Sequence, residues 1–377
     1  ASLFQLLDFT CTPFGTATLR DWLLYPADPD EILARQAAVK VLATHPEYGL
    51  QLRIRAEQMA TSRHDRGGAD ALVDWAESDG GVAKHAALSI IAAISAGAML
   101  LTLLGLVSGL LDMTIGGSIV AALVAFDFLY TLIFASRIHD LFDAVAAKQS
   151  EAQAYRRLFE WAGQVPQEAP RLLELGRNLN AGAPAALEAI GRLGAIMAAA
   201  NLRRAGLFGL LYLVLQFTLL WDFHWLALLE RWRRLHGARV RGWFETVGQI
   251  EALCSLGKLA YDEPSWPFPQ IVVDRTAPPI VRGQQVGHPL LDRSRVSNDV
   301  TIGPIGTVLL VTGSNMSGKS TLLRAIGANV VLAQAGAPVC ATQFELPPLV
   351  LETSMRVHDS LAEGVSFYMA ELKRLER

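Results

Sequence analysis

Cysteine is scarce in this 377-residue chain: Cys11, Cys254 and Cys340 lie far apart and form no C-x-x-C pair. That excludes a disulfide framework and a thiolate zinc site, and reducing surroundings are the default. Charge is scarce as well. Only 18% of the residues are Asp, Glu, Lys or Arg and the formal net charge is −3, so no general basic coat for nucleic acid is present, although a local basic patch survives such averaging. The opening ASLFQLLDFT has no basic n-region, so no signal peptide is read there, and a start at Ala1 reads as a fragment. What the chain holds in excess is apolar residues, 51% of the total, with a mean hydropathy of +0.29. Either its core is unusually rich in Ala and Leu or part of it sits in lipid.

The excess is local. Ala86 to Leu111 gives 26 consecutive uncharged residues, which as a helix would reach roughly 39 Å, enough for a bilayer. After Asp112 a second run, Met113 to Ser136, is interrupted only by Asp127 and carries Gly116-Gly117 near the expected turn. Two such runs in tandem predict a transmembrane hairpin over residues 86–136; the alternative is a buried helical pair inside a large α-domain. Lys84 before the first run and Arg137 after the second place both ends on the cytoplasmic side, and Gly105 and Gly109 form a G-x-x-x-G through which the helices would approach closely. Asp127 reads either as a functional intramembrane carboxylate or as a packing residue. A third apolar stretch, Ala205 to Trp221, contains Gln216 and runs straight into Asp222. It reads as a buried core helix, since a third crossing would put the two ends of the chain on opposite sides of the membrane.

The remainder divides by texture. Residues 1 to about 75 read as helical, with Ile32, Leu33, Ala37, Val39 and Leu42 at helical spacing and Asp28 and Asp30 available as caps. The helical pattern resumes over 138–262. Between Asp262 and Gly287 five prolines (Pro264, Pro267, Pro269, Pro278 and Pro279) end it and open a β-containing domain.

In that last domain Val308 to Thr312 is a short apolar, β-branched run that predicts a strand. It leads into Gly313-Ser314-Asn315-Met316-Ser317-Gly318-Lys319-Ser320-Thr321 and then a helical pattern. This is G-x-x-x-x-G-K-S between a strand and a helix. Gly313 and Gly318 let the backbone turn its N–H groups inward, and the helix start adds its dipole, so donors converge on phosphate oxygens. Lys319 would reach the β- and γ-phosphates of ATP and Ser320 would ligate Mg²⁺.

With these residues in hand, TGSNMSGKSTLLRAIGANVVLAQAGAPVCA resembles the ATPase domain of the MutS family, whose loop reads TG-x-NM-x-GKST followed by AQ-x-G-x-x-V-x-A. His288-Pro289 and Val296-Ser297-Asn298-Asp299 are similar to the family's HP and V-x-N-D elements. Residues 359–371 resemble its D-x-L-x-x-G-x-S-x-F-x-x-E segment, and Thr12 to Pro26 its T-x-x-G-x-x-x-L-x-x-WL-x-x-P start. The resemblance implies a multidomain chain: a mainly α-helical core begun by residues 1–80 and continued as a core or lever region at 138–262, and an α/β P-loop ATPase domain of ABC/MutS type at 263–377, with the transmembrane helical hairpin read from the apolar runs inserted at 81–137. It further implies ATP and Mg²⁺ as cofactors, Asn298 and residues 313–321 as the nucleotide site, and a homodimer through the ATPase domain in which Ser366 acts in trans on the partner's γ-phosphate. Gln334 or its neighbours would line the metal side. Asp359 and Glu363 read as structural or solvated.

The chain departs from that pattern in three ways. The family's apolar strand ending in Asp-Glu, which holds Mg²⁺ and activates water, would lie beyond Arg377, so this chain is expected to bind nucleotide and hydrolyse it poorly. Arg295 stands where an aromatic residue commonly stacks on adenine. No F-x-E wedge for sensing a weakened base stack is found, and a hydrophobic hairpin interrupts the helical core. Five arginines between 231 and 241 (Arg231, Arg233, Arg234, Arg239 and Arg241) read three ways: contacts to DNA phosphates, a solvated helix face, or a basic stretch against anionic lipid. The expected protein is a MutS-like, ATP-driven dimer switch on the inner (cytoplasmic) membrane, soluble domains facing the cytoplasm, with DNA a possible partner. The alternative is a nucleotide-regulated membrane scaffold without nucleic acid. A transporter ATPase is disfavoured by the lack of an L-S-G-G-Q signature and by only two convincing spans.

Overall fold

The computed structural model describes residues 2–61, 68–78, 82–147, 149–180, 186–200, 209–274, 276, 278–314 and 317–353. Their elements run α1 (Leu3–Leu7), α2 (Pro13–Leu24), α3 (Pro29–Thr44), α4 (Pro46–Thr61), α5 (Gly68–Glu77), α6 (Val82–Val107), α7 (Met113–Ala147), α8 (Gln149–Ala162), α9 (Pro170–Asn180), α10 (Ala186–Ala200), α11 (Gly209–Leu219), α12 (Trp221–Asp262), β1 (Gln270–Ile271), β2 (Val281–Val286), β3 (Asn298–Ile302), α13 (Lys319–Ala335) and β4 (Gln343–Leu346). The chain divides into two compact units, one of residues 1–7, 20–40 and 259–377 and the other of residues 8–19 and 41–258.

Every described regular element of the larger unit is a helix, and its core forms around the 42-residue α12. Phe244 is buried there against the rings of Phe14, Tyr155 and Phe159, with centroids 5.4, 4.8 and 5.3 Å away. Such aromatic contacts add to the burial of large apolar area. Trp232 stacks on Trp75 at 6.0 Å and donates its indole N–H to Ala189 O at 2.7 Å, so a bulky group is buried with its polar atom satisfied.

The T-x-x-G start of α2 has a physical explanation in the same unit. Glu251 on α12 is buried, and one of its carboxyl oxygens, Oε2, accepts both the Thr12 hydroxyl (2.5 Å) and the Thr12 N–H (3.3 Å). Thr12 Oγ1 in turn accepts the Gly15 N–H at 3.0 Å and so caps the helix. A Cβ on Gly15 would stand 2.0 Å from Glu251 Oε2, so only glycine fits. Burial pushes the Glu251 carboxyl up to about 7, partly offset by the Thr12 hydrogen bonds.

α6 and α7 form an antiparallel pair joined by a short turn and contain two stretches, Leu88–Val107 and Met113–Phe134, long and apolar enough to cross a membrane. Glycine roles differ from the expected G-x-x-x-G contact. α6 stops at Val107, and Gly109 lies in the turn at φ +73°, where nothing approaches it. The close approaches are instead Gly105 to Leu111 and Gly116 to Leu106.

The Ala205–Trp221 stretch is not the buried core helix expected from its sequence. Its described part, α11, packs on α6 and α7 and buries only Gln216, while Leu210, Leu211, Leu213 and Val214 are exposed. α11 ends where Leu220 takes φ +50°, and α12 leaves at 79° to it. A hydrophobic run looks the same in one dimension whether it faces a protein core or the outside, and here it faces outward.

The smaller unit is built differently. Its four strands form one sheet in the order β1-β4-β2-β3, with β1 parallel to β4 and the other pairs antiparallel. A bulge in β2 puts Gln285 at φ +50°, and Asp299 Oδ1 accepts the Gln285 N–H at 2.8 Å, which gives the Asp of V-S-N-D a structural task. α13 ends at Gly336, φ +89°, where a Cβ would come within 2.6 Å of Arg35 Cβ. On α3, Ile32 is buried as its spacing predicts and Leu33 is exposed. Near it Gln36 donates to Pro269 O at 3.0 Å.

An α/β P-loop domain is not displayed by the described residues. Val308–Thr312 forms no strand, and Val308 and Leu310 are exposed. A strand of that composition is stable when neighbours cover it on both sides, and no described strand pairs with it.

Candidate functional site

The loop expected to hold phosphate ends at Gly318, whose φ of +88° forms the N-terminal boundary of α13 with no side-chain cap. A side chain there would be strained in the left-handed region, which is why glycine precedes the lysine. The uncapped first turn leaves its backbone N–H groups free of intrahelical partners and directed out of the helix end. Lys319 folds back over the loop, donating from Nζ to Gly313 O (2.8 Å), Ser314 O (2.5 Å) and Ser317 Oγ (3.4 Å). Ser314, Ser320 and Thr321 are exposed beside it. Asn315 and Met316 lie outside the described residues, as do Asp359, Glu363 and Ser366.

The other candidates fall in different places. Asn298 opens β3, exposed, with its backbone opposite Val286 of β2. Gln334 does not line the loop: it lies 15 residues along α13 from Lys319, roughly 22 Å at the helical rise, and donates to Leu349 O at 2.5 Å. Arg295, which stands in the place of that aromatic residue, has its guanidinium 5.4 Å from the Trp266 ring and donates to Leu291 O at 3.0 Å. Burial, with Arg324 nearby, holds the His288 imidazole below its ordinary range, and Nδ1 accepts the Leu290 N–H at 3.2 Å. His288 thereby shapes the HP turn.

Asn329, which sequence reasoning missed, ties these pieces together. Fully buried on α13, it donates to Gly287 O (2.9 Å) and Ala325 O (2.8 Å) and accepts the Cys340 N–H (2.6 Å). It joins the helix behind the loop to the HP strand end and to the segment after α13. The available signal was a polar residue on the apolar stripe of that helix.

The arginine run on α12 is split. Arg233 is buried and paired with Glu230 at 2.7 Å, and Arg241 is held by both carboxylate oxygens of Glu77 at 2.8 and 2.7 Å. Arg231, Arg234 and Arg239 are exposed, the last with its guanidinium 5.5 Å from the Trp243 ring. No group of three or more His, Cys, Asp or Glu able to hold a metal ion occurs among the described residues.

Comparison with known proteins finds two matching family models, MutS domain III over residues 1–66 and MutS domain V over residues 309–377. Similar proteins include the DNA mismatch repair protein MutS of Chloroflexus aurantiacus, 31% identical over 143 residues, and that of Haloquadratum walsbyi, 31% identical over 142. The stretches cover 36% and 37% of this chain and 14% of each relative. The DNA mismatch repair protein MSH6 of Arabidopsis thaliana is 40% identical over 97 residues, 25% of this chain and 7% of its own length. The likeness to MutS proteins thus falls at the two ends of the chain, domain III at one and domain V at the other, and the chain spans about a seventh of the length of the MutS proteins it matches.

Proposed function

We propose that this chain is the membrane-anchored part of a MutS-like ATP-binding protein, in which nucleotide drives a dimer switch. The observation that carries the nucleotide reading is Lys319, held at an uncapped helix start by two loop carbonyls and the Ser317 hydroxyl. That set of donors fits a triphosphate: phosphate oxygens would take the backbone N–H groups of the first turn and draw Lys319 off the carbonyls. Ser320, exposed at the second position of α13, is the residue that would hold Mg²⁺, with the remaining ligands coming from the nucleotide and water. The metal supplies charge neutralisation between phosphate oxygens when bound; this chain's own residues bind and orient. Ser366 is proposed to act across the dimer. Purified protein should bind a fluorescent ATP analogue, and Lys319→Ala should abolish binding; retained affinity would overturn the site.

The membrane anchor rests on an inverted distribution of polarity. In α6 and α7 the buried residues include Ser95, Thr102 and Asp127, whereas Ile94, Leu101, Leu104, Val107, Met113, Leu132 and Ile133 are exposed, as is Leu110 in the turn between them. Water would not tolerate an apolar surface of that extent, and lipid would. Lys84 and Arg137 at the flanks orient both ends, and with them the nucleotide loop, toward the cytoplasm. Flotation with vesicles, lost on deleting residues 86–136, tests this.

DNA is proposed as a partner of the exposed Arg231, Arg234 and Arg239. The scaffold reading has one observation in its favour, since Arg233 and Arg241 are already engaged by Glu230 and Glu77. DNA binding that persists undiminished when the three exposed arginines are replaced by Ala would remove this surface from the proposal.

A further inference from the structure

Asp127 lies in the middle of the apolar stretch of α7, yet its side chain has no exposed surface. Oδ1 accepts the Ser95 hydroxyl from α6 at 2.6 Å, and Oδ2 has no hydrogen-bond partner among the described residues. An ionised carboxylate is an acceptor only, and in a buried apolar setting without a counter-charge it neutralises. Among the described residues, the charged side chains of other elements packed on α7, Arg156, Arg157 and Glu160 of α8 and Glu188 and Arg192 of α10, form no hydrogen bond or ion pair with Asp127; nor do Asp222 and His224 at the start of α12. The nearby titratable hydroxyls are occupied: Tyr130 donates to Leu88 O at 3.2 Å and Tyr212 to Asp222 Oδ2 at 2.8 Å.

One turn beyond Asp127 on the same helix face, the Thr131 hydroxyl accepts from Gln216 Nε2 at 3.1 Å, and Gln216 Oε1 accepts the Asp222 N–H at 3.0 Å. A polar file thus runs inside three apolar helices, from the hairpin to the bend between α11 and α12. Packing alone explains neither an acid at this depth nor its open oxygen.

We propose that Asp127 is a proton-binding site within the membrane, a carboxylic acid carrying its proton on Oδ2. The inference rests on the membrane reading of the hairpin. A protonated acid in an apolar setting adds to dicyclohexylcarbodiimide, a reagent that partitions into lipid. The full chain, floated in phosphatidylcholine vesicles, should take up one adduct at Asp127 at acidic pH and lose it as the pH rises. Asp127→Asn should abolish the adduct and Asp112→Asn, in the exposed turn, should leave it intact. Floated protein unmodified at Asp127 at every pH overturns the proton site alone, as does an adduct that survives Asp127→Asn. Protein that does not float overturns the membrane reading and the site with it.

Discussion

The helices around α12 and the hairpin α6–α7 solve opposite problems with the same secondary structure. Around α12, Phe223, Phe244, Leu253 and Leu256 are inside and Arg231, Arg234 and Glu245 outside. In the hairpin, Ser95 and Asp127 are inside and leucines cover the exterior. Helicity does not distinguish them, nor do buried polar groups, since Glu230, Arg233 and Glu251 lie inside the first; the residues that cover the exterior do. On the proposed membrane reading each exterior matches its solvent, because the hydrophobic effect drives burial in water while in lipid packing and hydrogen bonds must do so.

The sharpest way to break the comparison is to remove a large side chain from each interior. Phe244→Ala should cost about 3–5 kcal/mol, as for buried aromatics generally, and collapse the thermal transition of the helical unit. Met99→Ala, at a fully buried hairpin position, should cost less on the proposed membrane reading, in which lipid closes part of the gap; equal losses in detergent-solubilised protein would argue that the hairpin is an ordinary water-driven core. The converse substitution tests the exterior. Leu132→Lys would bring a charge into lipid at about 2.5–3.5 kcal/mol and reduce insertion into vesicles, whereas the same change on a water-exposed face would improve solubility.

Glu251 gives the comparison a pH axis. Its folded pKa of about 7 lies above the ordinary 4.5, so the folded state retains a proton that the unfolded chain releases. Stability is fullest below about pH 4.5 and falls until the folded group itself ionises near pH 7, a loss of about 3 kcal/mol at about 1.36 kcal/mol per pH unit. Glu251→Gln should flatten that slope in thermal midpoints measured from acid to neutral pH. Gly15→Ala, which forces a methyl group against the same carboxyl, should cost about 1–3 kcal/mol at every pH. If the Gln variant keeps the wild-type slope, the buried carboxyl is not its source.

Sequence alone carried the two apolar helices, because charge is absent over lengths that few soluble cores require, and it carried the helix that starts at Lys319, because a glycine and an apolar period mark its beginning. It did not carry partners far apart in the chain. Nothing local says that Thr12 meets Glu251, 239 residues away, or that Asn329 links Gly287 to Cys340. Periodicity also failed where two environments use the same residues: α11 was legible as a helix, but the side on which its leucines lie is decided by α6 and α7. The strand expected at Val308–Thr312 failed for a related reason, since β-branched composition is a preference that a ladder must complete.

The smallest expected effect bears on the outer surface of the water-facing bundle. Arg231 and Arg234 are three residues apart and exposed on α12, so both project from one face. Their replacement by Ala should shift the thermal midpoint little, within about 0.5 kcal/mol each, as for exposed positions with no structural partner. Arg233→Ala should instead destabilise the fold, because it leaves Glu230 buried without its cation at 2.7 Å. Salt-dependent DNA binding measured on the three variants separates surface from scaffold. Loss with Arg231→Ala and Arg234→Ala at unchanged stability would mark this face as a phosphate contact, and a shallower salt slope should accompany it because fewer counterions are released. Unchanged binding in both would leave the face as solvated surface, and the contrast with the hairpin would then be one of solvent alone.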